Sequence, residues 1–260
     1  MTVNYHTHTV RCRHASGTER EYIETAISRG VATLGFSDHS PYVFDGVYYS
    51  SFRMRPEELD DYYKTLSALR DEYKDSIDIK IGLEAEYYPK YFENFLELIK
   101  PYDIDYLILG QHFLENEIEG EYSSKPTSDP DRMAAYISQV IKGMETGLFT
   151  YVAHPDVITF TGDLAVYRRE AGRICEASRE LDIPLEINML GLRDSRFYPY
   201  KDFWRVAAQS GCRVVMGCDA HEPASVAEPV NVRQTRAFAE ELGITLDEDP
   251  LVLRKPGNLI

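Results

Sequence analysis

At 260 residues, with 43 acidic side chains, 28 basic ones and a formal net charge of −15, the chain can bury a sizeable core as one α/β barrel or two smaller domains. The acidic balance argues against a surface for long nucleic acid or anionic membrane, but not against a small anionic substrate, because bound cations invert the local field. No apolar run approaches the ~20 residues of a membrane span, and four cysteines without Cys-x-x-Cys spacing or a preceding signal segment are expected to be reduced thiols in the cytoplasm.

Taken in order, Val3-Asn4-Tyr5 reads as a short strand running into His6-Thr7-His8, with His14 close behind. In an extended segment, residues two apart share a face, so His6 and His8 can grip one ion together. Thr18 and Glu21 have capping-box spacing, and Tyr22, Ile23, Ala26 and Ile27 line the helix that follows. Val31 to Phe36 is a strand ending at Ser37-Asp38-His39. Ser40 to Arg55 is irregular and aromatic, and its position after two candidate ligands suggests a wall of the site. Arg53 and Arg55 are candidates there for binding an anion. Pro56 opens a helix marked by Leu59, Tyr62, Leu66, Leu69 and Tyr73. Ile77 to Ala85 alternates into Glu84 and Glu86. These share a face, so spacing cannot choose between them.

Tyr91 to Ile99 is a short helix. Ile104 to Leu109 is a continuous apolar strand, the type buried on both faces, and it leads to His112. Residues 113–128, with Glu115, Glu117, Glu119 and Glu121 and no apolar period, are expected to form a mobile, solvated loop. Asp129-Pro130 caps a helix that Gly147 closes. Phe149 to Ala153 is a strand before His154. A helix marked by Ala171, Ile174 and Cys175 precedes a strand from Pro184 to Met189, with Gly191-Leu192-Arg193 expected in a loop. A helix carrying Phe203 and Trp204 stops at Gly211, and Arg213 to Gly217 is the last strand, ending in Cys218-Asp219-Ala220-His221. Asn231 is expected to cap a terminal helix, and the tail after Gly243 to be loosely packed.

Seven strands alternating with helices predict a parallel sheet, and at this length a closed or distorted barrel. Barrels of this kind place chemistry at the C-terminal strand ends. Six of the seven strands end in His, Asp or Glu, and the sixth offers Asn188 and then Arg193. All seven histidines of the chain belong to this set.

His6-x-His8, His14, Asp38-His39, Gly82-Leu83-Glu84, His112, His154 and Asp219-x-His221 resemble, in order over nearly the whole chain, the motifs of the polymerase and histidinol phosphatase (PHP) superfamily. More narrowly, His6-Thr7-His8-Thr9 with Cys12 and His14-Ala15, Gly35 to Pro41, Arg53-Met54 and Leu109-Gly110-Gln111-His112 are similar to its histidinol-phosphate phosphatases. The resemblance implies one domain over residues 1–260, a distorted seven-stranded TIM-like (β/α)7 barrel, and three divalent ions, zinc, manganese or iron. It implies that His6, His8, Glu84 and Asp219 hold the first ion, Glu84, His112 and His154 the second, and His14, His39 and His221 the third. Here the family pattern chooses Glu84 over Glu86.

The implied reaction is hydrolysis of L-histidinol phosphate, in histidine biosynthesis, by in-line attack of a hydroxide shared between two ions. Arg193 is the first choice for gripping phosphoryl oxygens, because a guanidinium fork suits them. Arg53 is the second. Asp219 or His221 would orient water or protonate the leaving group, and Asp38 would orient a ligand histidine. No serine or cysteine lies in a nucleophile-elbow pattern, so a covalent intermediate is not expected. The expected partner is a small phosphorylated substrate, with a homo-oligomer compatible and neither long nucleic acid nor membrane. The competing readings are a related phosphoesterase acting on AMP or short oligonucleotides, an amidohydrolase-type enzyme, and a non-catalytic metal-binding module. Amidohydrolase barrels typically use a carboxylated lysine, and no lysine ends a strand here.

Overall fold

The computed structural model describes residues 1–258. Seven parallel strands run in sequence order around one sheet: β1 Val3–Asn4, β2 Thr33–His39, β3 Asp78–Ala85, β4 Tyr106–Leu109, β5 Phe149–Val152, β6 Leu185–Asn188 and β7 Val214–Gly217. The connecting helices are α1 Glu19–Ser28, α2 Leu59–Tyr73, α3 Phe92–Ile99, α4 Pro130–Glu145, α5 Leu164–Glu180, α6 Met189–Arg193 and α7 Lys201–Ser210, with α8 Pro229–Glu241 after β7. The last gap closes beyond the strand ends. Thr7 pairs with Ala220, and His8 N donates to Ala220 O at 2.9 Å. A nearly closed seven-stranded barrel results, as the alternation predicts. Its distortion is local: β5 and β6 share only the Val152–Leu185 partnership, and the β4–β5 register slips between Leu107 and Ile108.

The helices form where the sequence stripes them. In α3, Phe92, Phe95, Leu96 and Ile99 recur at three- and four-residue spacing and are all buried, each contributing roughly 1.5–3 kcal/mol of transfer free energy. The Thr18–Glu21 capping box starts α1, and Asp129 with Pro130 starts α4. The lower barrel interior is filled by Tyr5, Tyr106, Ile108, Tyr151, Ala153 and Val215, so it is a packed core and not a pore.

Four local expectations need correction. Gly191, Leu192 and Arg193 are helical, because Asn188 caps α6 by accepting from Gly191 N at 2.9 Å. Helix α8 is capped three residues earlier than expected: Glu228 accepts from Asn231 N, and Pro229 takes the first helical position. The 113–128 segment is a folded loop. Phe113 bridges Tyr122, Leu114 N donates to Glu121 O at 3.0 Å, and Asn116, Glu117 and Ser123 are buried. The tail is docked as well. Leu246 bridges Val214, Leu251 and Leu253 pack on the interior cluster, and an Arg254 N–H donates to Leu181 O at 2.7 Å. No helix among the described residues is long and apolar enough to cross a membrane.

Candidate metal centre

The strand ends carry their polar residues to one place above the packed interior. His6 and His8 arrive from the end of β1, His39 from β2, Glu84 from β3, His112 after β4, His154 after β5, and Asp219 and His221 after β7. His14 enters from the turn after the short helix Val10–Cys12. The backbone is left-handed at His154 (φ 30°) and Asp219 (φ 46°), a conformation uncommon outside glycine that costs ~1–3 kcal/mol. It turns the chain sharply where each strand delivers its side chain.

Glu84 is the hub. Its Oε2 lies 3.6 Å from His6 Nε2, 3.6 Å from His8 Nε2 and 3.0 Å from His39 Nδ1. Its Oε1 lies 2.8 Å from His154 Nε2 and 3.6 Å from His112 Nε2. Asp219 Oδ1 is 3.0 Å from His8 Nε2 and 3.6 Å from His6 Nε2. Donors about 2.1 Å from a shared tetrahedral ion stand roughly 3.4 Å apart, which is the spacing seen. Several threefold groups within it could each hold an ion: His6, His8 and Asp219; His6, Glu84 and His154; His8, His39 and Glu84; His14, His39 and His221. Within the centre, His6 Nε2, His8 Nε2, His39 Nδ1, Glu84 Oε2, Asp219 Oδ1 and His221 Nε2 are buried with no hydrogen-bond partner. Burying a polar atom unpaired costs about 1–3 kcal/mol. Six such atoms gathered in one centre fit cations, and no group among the described residues satisfies them.

The opposite edge of most of these rings is held. His6 Nδ1 meets Glu186 at 2.8 Å, His112 Nδ1 meets Glu86 at 2.9 Å, and His14 Nδ1 meets Cys12 O at 2.8 Å. His221 Nδ1 lies 3.1 Å from Asp219 O, and His8 Nδ1 lies 3.5 Å from Asp38 Oδ1. Such partners fix ring orientation and tautomer. His154 Nδ1 has no hydrogen-bond partner among the described residues, and His8 Nδ1 has none beyond its 3.5 Å approach to Asp38. Glu186 also accepts from Asn188 Nδ2, which in turn reaches Asp219 Oδ2 at 3.0 Å. Two glycines make room for the carboxylates. A Cβ on Gly110 would fall 1.9 Å from Glu84 Oε1, and one on Gly217 2.2 Å from Glu186 Oε2.

With only the chain's own charges present, burial works against ionising Glu84 and Asp219. The surrounding imidazoles outweigh it and hold both well below the usual carboxylate range. Burial also disfavours a charged His8, but Asp219 and Asp38 push its pKa up to about 9. Burial and the neighbouring His8 push His221 down to about 3. The centre thus keeps its carboxylates ionised and splits its imidazoles between charged and neutral.

The centre opens into a cleft of about 460 Å³ walled by Ser51, Phe52, Phe113, Tyr122, Leu190, Arg193, Asp194, Arg196 and Tyr198. All nine ligand candidates converge, but the two candidate arginines part company. Arg193 lines the cleft, with Nη1 on Ser225 Oγ at 2.5 Å and Nε on Asp194 at 2.7 Å. Arg53 lies outside it, buried against Glu86 and Glu117. Sequence reasoning missed Glu186 and Arg196. The alternation of β6 was the signal for Glu186, two residues before Asn188 on the same face. Arg196, three residues after Arg193 and bonded to Tyr198 Oη at 3.0 Å, had no signal beyond that proximity.

Residues 4–190 match the family model described as PHP domain. The chain is 32% identical over 230 residues to a probable histidinol-phosphatase of Deinococcus radiodurans, covering 85% of this chain and 86% of that protein. It is 27% identical to the histidinol-phosphatase of Bacillus subtilis, covering 85% and 94%. The fold is shared with the histidinol phosphate phosphatase of Lactococcus lactis, solved with zinc, L-histidinol and phosphate. The TM-score is 0.72 at 20% identity, over 94% of this chain and 95% of that one.

Proposed function

The chain belongs to the PHP domain family, and on that premise we propose that it is a metal-dependent phosphomonoesterase releasing phosphate from L-histidinol phosphate in histidine biosynthesis. The observation that supports this best is the set of buried, unpartnered donor atoms at the floor of a cleft sized for a small ligand. The similarity over 85% of the chain to two relatives named for that activity supports the substrate. The reading treats residues 1–260 as one domain working in the cytoplasm on a small molecule.

His6, His8, Glu84 and Asp219 would hold one divalent ion, Glu84, His112 and His154 a second, and His14, His39 and His221 a third. Ions bound there supply Lewis acidity, neutralising phosphoryl charge and lowering the pKa of water. The chain's part is positional. Glu84 sits between two of the ligand groups. Glu186, Glu86 and Asp38 hold rings in place from behind. Arg193 offers a fork to phosphoryl oxygens from the cleft wall, with Arg196 beside it. Asp219 or His221 would orient the attacking water for in-line displacement and pass a proton to the departing alkoxide.

The carboxylates of the loops flanking the cleft are committed elsewhere. Glu117 is taken by Arg53, Glu119 and Asp45 pair with Lys90, and Glu121 pairs with Lys125. Asp194, itself paired with Arg193, is the carboxylate on the cleft wall besides the ligands. The rings of Phe52 and Phe113 stack at 5.9 Å there. They suit an imidazole and would also stack an adenine, which makes AMP the competitor to test. Purified chain reconstituted with zinc, manganese or iron should bind close to three ions and release phosphate from histidinol phosphate. No release with any of the three metals would refute the assignment, and at most one ion per chain would refute the trinuclear part.

A further inference from the structure

Arg53 follows Phe52 in the long loop after β2 and is 2% exposed. Its guanidinium donates to both oxygens of Glu86, at 2.9 and 3.1 Å, to Ser40 O at 2.8 Å, and to Glu117 on the 113–123 loop. All five of its N–H groups therefore face an acceptor. The same guanidinium lies over the rings of Phe52, at 4.7 Å, and Tyr42, at 5.4 Å. Each carboxylate then reaches onward. Glu86 Oε1 meets His112 Nδ1 at 2.9 Å, and Glu117 Oε2 accepts from Tyr48 Oη at 3.1 Å.

A buried cation with two buried anions is expensive unless geometry and hydrogen bonds compensate. Here every donor is matched. Burial alone would lower the Arg53 pKa, but the fields of Glu86 and Glu117 outweigh it and hold the group charged. A phosphate clamp needs an open N–H face, and Arg53 has none. What it has is reach: one side chain ties the end of β3, the aromatic loop and the 113–123 loop to the ring of His112. Phe52 and Phe113, the stacked pair of the cleft wall, belong to those two loops.

We propose that Arg53 is a positioning residue whose buried bridge to Glu86 and Glu117 sets the His112 ring and the Phe52–Phe113 wall together. The inference rests on the metal reading above, in which His112 is a ligand. It predicts that damage on the loop side of the bridge is felt as poorer metal retention at His112, which Glu117 reaches only through Arg53 and Glu86. Losing a partner behind a ligand typically costs 10–100-fold in metal affinity.

Arg53→Lys keeps the charge and loses the fork, and Glu117→Gln removes only the loop-side anion. Both full-length variants are loaded with zinc and followed in chelator competition, with inhibition by inorganic phosphate measured at saturating zinc and folding checked by circular dichroism. The expected result is that one zinc class leaves ~10-fold or more readily in each variant, while the phosphate inhibition constant stays within ~2-fold of the parent. Parent-like zinc retention in folded variants overturns the proposal. A phosphate constant weakened ~10-fold at unchanged retention also overturns it, as the signature of a clamp. If Arg53→Lys does not fold, Glu117→Gln, which leaves the Arg53–Glu86 pair whole, decides alone. A parent that retains no zinc overturns the metal reading and this inference with it.

Discussion

Gly110 has no side chain because Glu84 occupies the space that one would need. Gly110→Ala must displace a carboxylate that touches five imidazoles, so it should cut activity at least ~100-fold and reduce bound metal, through misplacement of about 1 Å at the centre. Elemental analysis beside a rate assay checks both. Glu186→Gln keeps one acceptor for His6 but loses the charge, and a metal titration should need ~10-fold more zinc for half-maximal activity. Half-saturation unchanged from the parent would show that His6 is oriented by something else. At this scale the sequence was most legible where chemistry and strand ends coincide. His6, His8, His39, His112, His154, Asp219 and His221 each close an apolar run and each reach the centre. The choice of Glu84 over Glu86 was not legible from spacing, since both point inward. The structure separates them by what stands nearby: Glu84 meets the rings, while Glu86 meets Arg53 and the back of His112. Arg53 was misread as an anion binder because its partners lie 33 and 64 residues away, and no local pattern reports such a pairing.

The strands and helices follow the apolar period closely, because each buries the stripe that defines it. The departures occur where polar side chains or distant contacts decide. Asn188 converts an expected loop into α6, and Glu228 rather than Asn231 starts α8. The 113–123 loop has no apolar period yet is ordered by backbone bonds and by Glu117, which reaches inward to Arg53. The tail lacks any local signal, since its role is to cover the barrel floor. The cavity beside Met1, Tyr5 and Leu251 at that floor is only about 20 Å³, room for little more than one water. Leu253→Ala should therefore cost ~1–2 kcal/mol, less than a fully buried leucine, and lower the melting temperature by a few degrees with kcat unchanged. A melting temperature equal to the parent's would mean that the tail does not seal the floor.

The whole molecule is one barrel with its packed floor at one end and its donors at the other, and we expect residues 1–260 to unfold as one unit. Ions that bind only the folded chain stabilise it by mass action. Stripping them would leave Glu84 Oε2, Asp219 Oδ1 and the inward ring nitrogens of His6, His8, His39 and His221 without hydrogen-bond partners. Calorimetry after chelation should show a single transition shifted down by ~5 °C or more, whereas two separate transitions would contradict a single domain. The barrel architecture and the metal chemistry were legible in the sequence because both depend on residues repeated at every strand end. The substrate was less so, because the cleft wall is built from loops whose carboxylates turned out to be paired elsewhere. The measurement that tests the account most directly is therefore the ratio of kcat/KM for L-histidinol phosphate to that for AMP, on metal-loaded chain. The account predicts a ratio of ~100 or more, equivalent to ~2.7 kcal/mol of differential transition-state binding. A ratio of one or below would contradict it and move the chain to a nucleotide phosphoesterase.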